Sequence, residues 1–225
     1  MKNVELTKLD YDECARYLGY KGETPTDDIL LIMQECEEQL IRSAVPRFLY
    51  KCFNIMETEE GILLENSNIL LTGDSIKNHL KGIDRIAIIA ATLSVEVDKL
   101  IKRLSILDMT KALITDAFAT VAIEQICDKV EKYIKENEHI SDITTRYGIG
   151  YGDLPIEIMP DMLKVMNTQK EIGLCSTSSF TLTPCKSVLC IIGFGKTMEV
   201  KRKTCSICNL KDKCEYKKRG EACGI

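Results

Sequence analysis

From Asp108 to about Glu136 the chain contains neither glycine nor proline, and Ile114, Phe118, Val121, Ile126, Val130 and Ile134 recur at helical spacing. This predicts one long helix whose apolar stripe needs a covering layer. Arg85-Ile86-Ala87-Ile88-Ile89-Ala90-Ala91-Thr92-Leu93 is apolar from end to end, bounded by Gly82 and by the helix start Ser94-Val95-Glu96. It reads as a strand buried on both faces in the middle of a sheet.

Weaker patterns fill in the rest. Thr26-Asp27-Asp28 offers an N-cap with acids where the helix dipole favours them. Leu30, Met33, Glu37, Leu40 and Ala44 continue at helical spacing until Pro46 stops the run. Residues 51–72 hold short apolar runs broken by turns, as a strand hairpin would, and a short helix is expected from Ser75 to Leu80. Beyond the long helix we expect a strand near Ile143 to Tyr147, a glycine-rich turn and a helix from about Ile156 to Met166. Two extended runs should follow, Ile172 to Thr177 and Ser187 to Phe194. Strands and helices do not alternate regularly, so the fold class is α+β, with a largely antiparallel sheet flanked by helices.

A chain of 225 residues, 45% hydrophobic, can bury one sizeable core with a small appendage. We take residues 1–195 as the main domain and 196–225 as a basic, Cys-rich tail. The tail carries nine Lys or Arg against four Asp or Glu, although the chain as a whole has a formal charge of −4. Tyr216 is the tail's single aromatic, which gives nucleic-acid bases no stacking platform; an acidic protein partner suits the charge as well. No apolar run approaches the roughly 20 residues of a membrane span, and the N-terminus mixes Lys2, Glu5 and Lys8 with few apolar residues. We therefore expect no membrane partner, no nucleic-acid partner and a cytoplasmic location, with the eleven cysteines as reduced thiols.

The least ordinary stretch is Arg146-Tyr147-Gly148-Ile149-Gly150-Tyr151-Gly152-Asp153-Leu154-Pro155. Glycines free backbone N–H and C=O groups to meet a ligand, Arg146 supplies a planar fork matched to a carboxylate, and Tyr151 suits a purine or a cationic sulfonium. The same residues also suit a bulged strand-to-helix connection with no ligand. The G-x-G-x-x-G spacing of a dinucleotide site is absent. The two histidines, His79 and His139, provide no histidine-rich metal site; His79 reads as an ordinary polar-face residue and His139 as solvated at a helix end.

Arg146-x-x-x-Gly150-Tyr151-x-x-x-Pro155 resembles the R-x-x-x-G-Y-P-A-C-P motif of the methionine synthase activation domain family. Thr115-Asp116-Ala117-Phe118-Ala119 is similar to that family's A-E-A-F-A segment. Ile172-Gly173-Leu174, then Thr177-Ser178-Ser179-Phe180-Thr181-Leu182-Thr183-Pro184 and Ser187-Val188, resemble its G-x-x-L-T-E-S-F-A-M-x-P-x-x-S-V-S run. The resemblance covers roughly residues 84–193 and departs from the family at Gly152-Asp153-Leu154, where Pro-Ala-Cys is usual. The family's later His-Pro and tyrosine pair and its N-terminal Asp-Trp-Thr have no counterpart.

The resemblance implies an S-adenosylmethionine site at Arg146, Gly148, Gly150, Tyr151, Pro155 and Phe180, with Asp116 at an acidic position facing it. It also implies a role in methyl transfer from S-adenosylmethionine to cobalamin. The cobalamin would be carried by a separate methionine synthase subunit, because Lys77 stands where the cobalamin motif D-x-H-x-x-G needs its aspartate before His79. A flavodoxin-like or ferredoxin-like donor would supply the electron.

Cys205-x-x-Cys208-x5-Cys214-x8-Cys223 in the tail forms a candidate metal clip for zinc or an iron–sulfur cluster. A cluster there leaves open a metal-containing redox activator of a corrinoid methyltransferase as the alternative function. A zinc knuckle for nucleic acid is a third reading. Cys14, Cys36, Cys52, Cys127, Cys175, Cys185 and Cys190 read as small core residues.

Overall fold

The computed structural model describes residues 2–20 and 23–195. The tail and its four cysteines, Cys205, Cys208, Cys214 and Cys223, lie outside the described residues. The elements run β1 (Lys2–Asn3), α1 (Tyr11–Tyr17), α2 (Asp27–Ser43), β2 (Arg47–Glu57), β3 (Ile62–Leu64), β4 (Leu70–Leu71), α3 (Asp74–His79), β5 (Arg85–Thr92), α4 (Val95–Leu107) and α5 (Met109–Glu138). They continue with β6 (Tyr147–Gly148), a 3-10 turn (Ile156–Ile158), α6 (Met159–Met166), α7 (Thr168–Ile172), β7 (Cys175–Ser176), β8 (Leu182–Thr183) and β9 (Ser187–Phe194).

The main sheet has the order β4-β3-β2-β5-β9-β6, with β1 paired to β2 off that path, and every pairing is antiparallel. The expected α+β class and antiparallel sheet are what is found. Strand β5 sits between β2 and β9, and its alternating side chains feed two cores. Ala87, Ile89 and Ala91 join Met33, Leu40, Val97 and the inward face of α5 on one side. Ile86, Ile88 and Ala90 join Ile76, Met162 and Ile172 beneath α3, α6 and α7 on the other. Each fully buried Ile, Leu, Val or Phe contributes about 1.5–3 kcal/mol of transfer free energy. The uninterrupted apolar run therefore belongs in a strand covered twice.

Helix α5 has Asp108 as its N-cap, the Asp108 carboxylate accepting from Lys111 N at 3.1 Å, and ends at exposed His139 in the left-handed conformation. Glu37, the polar member of the α2 stripe, is explained by its partners: it accepts from Leu9 N at 2.7 Å and from the Tyr11 hydroxyl at 2.8 Å. Thr26 caps α2 by position alone, with no side-chain hydrogen bond.

Several expectations need correction. The strand near Ile143 to Tyr147 shrinks to Tyr147–Gly148. Thr144 N does reach Gly193 O at 2.8 Å, but Gly193 N donates to the Thr144 hydroxyl instead of to a backbone carbonyl, and the ladder breaks there. The helix from Ile156 begins as a 3-10 turn, and Ile172 ends a short helix where an extended run was expected. Cys185 is exposed and Cys52 and Cys175 are half-buried, leaving Cys14, Cys36, Cys127 and Cys190 as the buried thiols among the described residues. His79 is half-buried rather than on an open polar face, with Nε2 3.0 Å from the Thr144 hydroxyl and its ring 4.9 Å from that of Tyr147.

Candidate functional site

The glycine-rich segment forms the edge of the sheet. Among the described residues strand β6 pairs only with β9, Tyr147 opposite Ile191 and Gly148 opposite Cys190, and alternation along it sends neighbouring side chains to opposite faces. Tyr147 packs into the core beneath α3 and α6. Arg146 therefore points the other way, along α5. Its guanidinium lies 3.0 Å from Glu124, 2.9 Å from Asp128 and 3.0 Å from Glu131.

This side chain is only 16% exposed. Burial works against its charge, but Glu131 and the neighbouring carboxylates outweigh that and raise its pKa, so it stays a guanidinium. Behind it, burial pushes the Cys127 thiol up to about 12 and the Cys190 thiol well above its ordinary value, so neither offers a thiolate here.

Asp116 lies two turns earlier on the α5 face that carries Thr120, Glu124, Asp128 and Glu131. Its carboxylate accepts from Lys186 Nζ at 2.9 Å, and the same ammonium bonds the Thr120 hydroxyl at 2.9 Å and Asp116 O at 3.1 Å. Two cations from the β9 side, Lys186 and Arg146, thus grip one polar stripe of α5, with three carboxylates around the second. The 116, 120, 124, 128, 131 spacing was present in the sequence, but only the apolar stripe of that helix had been read. Glu124, Asp128 and Glu131 were missed for that reason, and Lys186, just before β9, because nothing local marks it as a partner of α5.

The loop after Gly148 is held from below. Asp153 accepts from Asp74 N at 2.7 Å and Ser75 N at 3.0 Å, capping α3, and these backbone hydrogen bonds hold its pKa below the ordinary carboxylate value. The Tyr147 hydroxyl donates to Tyr151 O at 2.9 Å, and the exposed Tyr151 ring stands edge-on to Tyr147 at 5.5 Å. Gly150 and Gly152 have φ of +83° and +62°. A Cβ on Gly152 would come within 2.8 Å of Ser75 and of the Tyr147 hydroxyl. These two glycines are accounted for by the turn and its packing. Gly148 is different: it is exposed, and nothing lies within 4 Å of where its Cβ would be.

Pro155 leads into the 3-10 turn. Phe180 has φ of +59° and closes the β7–β8 hairpin through Phe180 N to Thr177 O at 3.0 Å; it packs on the core beneath α6 and α7. The residues named from the sequence thus fall into two groups. Arg146 and Asp116 lie on the α5 side of the sheet, while Tyr151, Pro155 and Phe180 belong to the segments on the α3–α6 side. Edge strand β6, with the open backbone at Gly148, separates the groups. The α5 side suits an amino-acid headgroup, with a planar cation for a carboxylate and carboxylates for an ammonium or sulfonium.

No protein-family model and no curated protein sequence matches the chain. Among solved structures, the crystal structure of the MetH reactivation domain bound to AdoHcy is similar, with a TM-score of 0.65 and 13% sequence identity. The likeness covers 95% of this chain and 82% of that one. At that identity the likeness shows a shared fold.

Proposed function

We propose that this chain binds S-adenosylmethionine across edge strand β6 and serves as a reactivation module for a cobalamin-dependent methionine synthase. The observation that carries the reading is the position of Arg146. It stands immediately before the edge strand, against a row of α5 carboxylates, in a fold whose solved relative holds AdoHcy, the demethylated product of that ligand. The agreement between three separated motif blocks and the fold of that relative supports it.

Arg146 binds the ligand carboxylate, exchanging one of its three helix partners for it. Glu124 or Asp128, the more exposed of those partners, is then free for the ligand ammonium. Backbone groups at Gly148 line the middle of the ligand, and Tyr151 covers its base end. Asp116, paired with Lys186, fixes the far end of the α5 stripe along which the sulfonium lies. Cobalamin carried by a partner protein would supply the centre that accepts the methyl group, and a flavodoxin-like or ferredoxin-like donor would supply one electron. This chain then acts by holding and orienting the methyl donor.

The test is isothermal titration of S-adenosylmethionine into the wild-type chain, Arg146→Ala and a truncation before Lys201. Binding by wild type and truncation, lost in a folded Arg146→Ala, is the expected pattern. A wild-type chain that does not bind S-adenosylmethionine sinks the proposal.

A further inference from the structure

The α4–α5 elbow carries a group of apolar side chains that no core absorbs. Ile106, Leu107, Met109 and Leu113 are between 62% and 80% exposed, and Leu31 on α2 is 62% exposed. Single exposed leucines need no explanation, but contiguous apolar patches beyond a few hundred Å² on a monomer mark contact sites.

The helices bring these five together. The end of α2 is tied to the start of α4 by Val45 N to Leu93 O at 3.1 Å. Its middle is tied to the start of α5 by Glu35 to Lys111 at 2.7 Å and by the Cys36 thiol on Lys111 O at 3.7 Å. The start of α2 therefore projects past the elbow, with Leu31 one turn before Glu35. Beneath the elbow, Leu100, Leu104 and Ala112 form a separate buried cluster that fixes the α4–α5 angle.

The charges around this patch are of opposite sign at its two sides. On α4, one turn before the elbow, Lys102 and Arg103 are exposed; at the start of α2, Asp27 and Asp28 are exposed. None of the four takes part in an ion pair among the described residues. A surface made for a different acidic or basic partner would carry one sign. One that carries both across an apolar ridge complements itself after a half-turn, as a two-fold contact requires.

We infer that this elbow is the contact face of a homodimer. The apolar ridges of two copies pack together, and Lys102 and Arg103 of each copy meet Asp27 and Asp28 of the other. Five apolar side chains and four charges per copy make a contact smaller than the roughly 800 Å² per partner of a standard interface, and the association is correspondingly weak.

Sedimentation equilibrium of the full chain tests this. Wild type is expected to dimerise with a micromolar constant that weakens in salt, and Leu113→Glu or Ile106→Glu, folded by circular dichroism, to stay monomeric. Lys102→Glu with Arg103→Glu should weaken association at least tenfold, and adding Asp27→Lys with Asp28→Lys should restore it. A wild type that remains monomeric at several hundred micromolar overturns the inference, whether or not it binds anionic vesicles or another protein. So does undiminished dimerisation of the Leu113→Glu and Ile106→Glu chains, or a failure of the double reversal to restore the contact.

Discussion

Arg146 and Glu131 face each other across 3.0 Å, 16% and 24% exposed, in the driest of the three ion pairs that join edge strand β6 to helix α5. Glu131 carries more of this attachment than Glu124 or Asp128, which are 48% and 65% exposed and screened by water. Arg146→Ala leaves three carboxylates together with no cation between them. We expect a loss of about 2 kcal/mol in urea unfolding, below the roughly 3–5 kcal/mol of a fully buried broken pair. Glu131→Gln should cost less, about 1 kcal/mol, because two carboxylates still hold the guanidinium. An Arg146→Ala chain as stable as wild type would show that the cluster holds nothing in place.

The Asp153 cap on α3 makes the glycine loop sensitive to acid. Its folded pKa is depressed by the Ser75 and Asp74 backbone N–H groups, so its contribution is complete above the ordinary carboxylate value of about 4. The contribution is lost as pH falls through the lower folded value. The stability gap between wild type and Asp153→Ala should therefore be constant from pH 7 to about pH 5, narrow below about pH 4, and close in stronger acid. Urea midpoints for both chains across that range provide the check. A gap that persists in strong acid would mean that the carboxylate charge is not what holds the loop.

The parts of this fold that were legible in the sequence are those with long apolar periodicity. Helix α5 and strand β5 announced themselves because a stripe or run of buried residues has few alternatives. The limits of strand β6 did not, because its ladder ends where the Thr144 hydroxyl takes the place of a backbone partner, a substitution that no local pattern signals. Arg146 was singled out for its neighbours in sequence, yet its partners lie 15 to 22 residues earlier on a different element. The carboxylate stripe becomes meaningful only once β6 is known to lie beside α5.

Two glycines in one loop should respond oppositely to the same methyl group. Gly152→Ala forces a non-glycine residue to φ of +62° and drives its Cβ against Ser75 and the Tyr147 hydroxyl, so about 2 kcal/mol of stability should be lost. Gly148→Ala meets nothing and should unfold within about 0.5 kcal/mol of wild type. If the ligand backbone contacts lie at Gly148, however, the methyl group occupies the ligand's space, and S-adenosylmethionine affinity should fall at least tenfold. Thermal denaturation and titration calorimetry on both variants separate the two effects. Unchanged affinity in Gly148→Ala would move the ligand away from the edge strand.

Charge on the α5 stripe sets an expected preference between two ligands that differ by one methyl group. Around Arg146, three carboxylates surround one guanidinium, and further along the helix Asp116 is balanced by Lys186. The excess is negative, and a sulfonium is stabilised where an uncharged thioether gains nothing. At an effective dielectric near 20, a unit charge about 8 Å from one excess carboxylate gains about 2 kcal/mol before screening. Salt reduces that, since the Debye length is about 8 Å at physiological ionic strength. S-adenosylmethionine should therefore bind on the order of tenfold more tightly than S-adenosylhomocysteine in dilute buffer, with the ratio shrinking as salt rises. Glu124→Gln and Asp128→Gln, on the exposed side of the cluster, should narrow the ratio without unfolding the chain. Equal affinity for the two ligands at low salt would place the sulfonium away from α5 and leave only the carboxylate end of the ligand at Arg146.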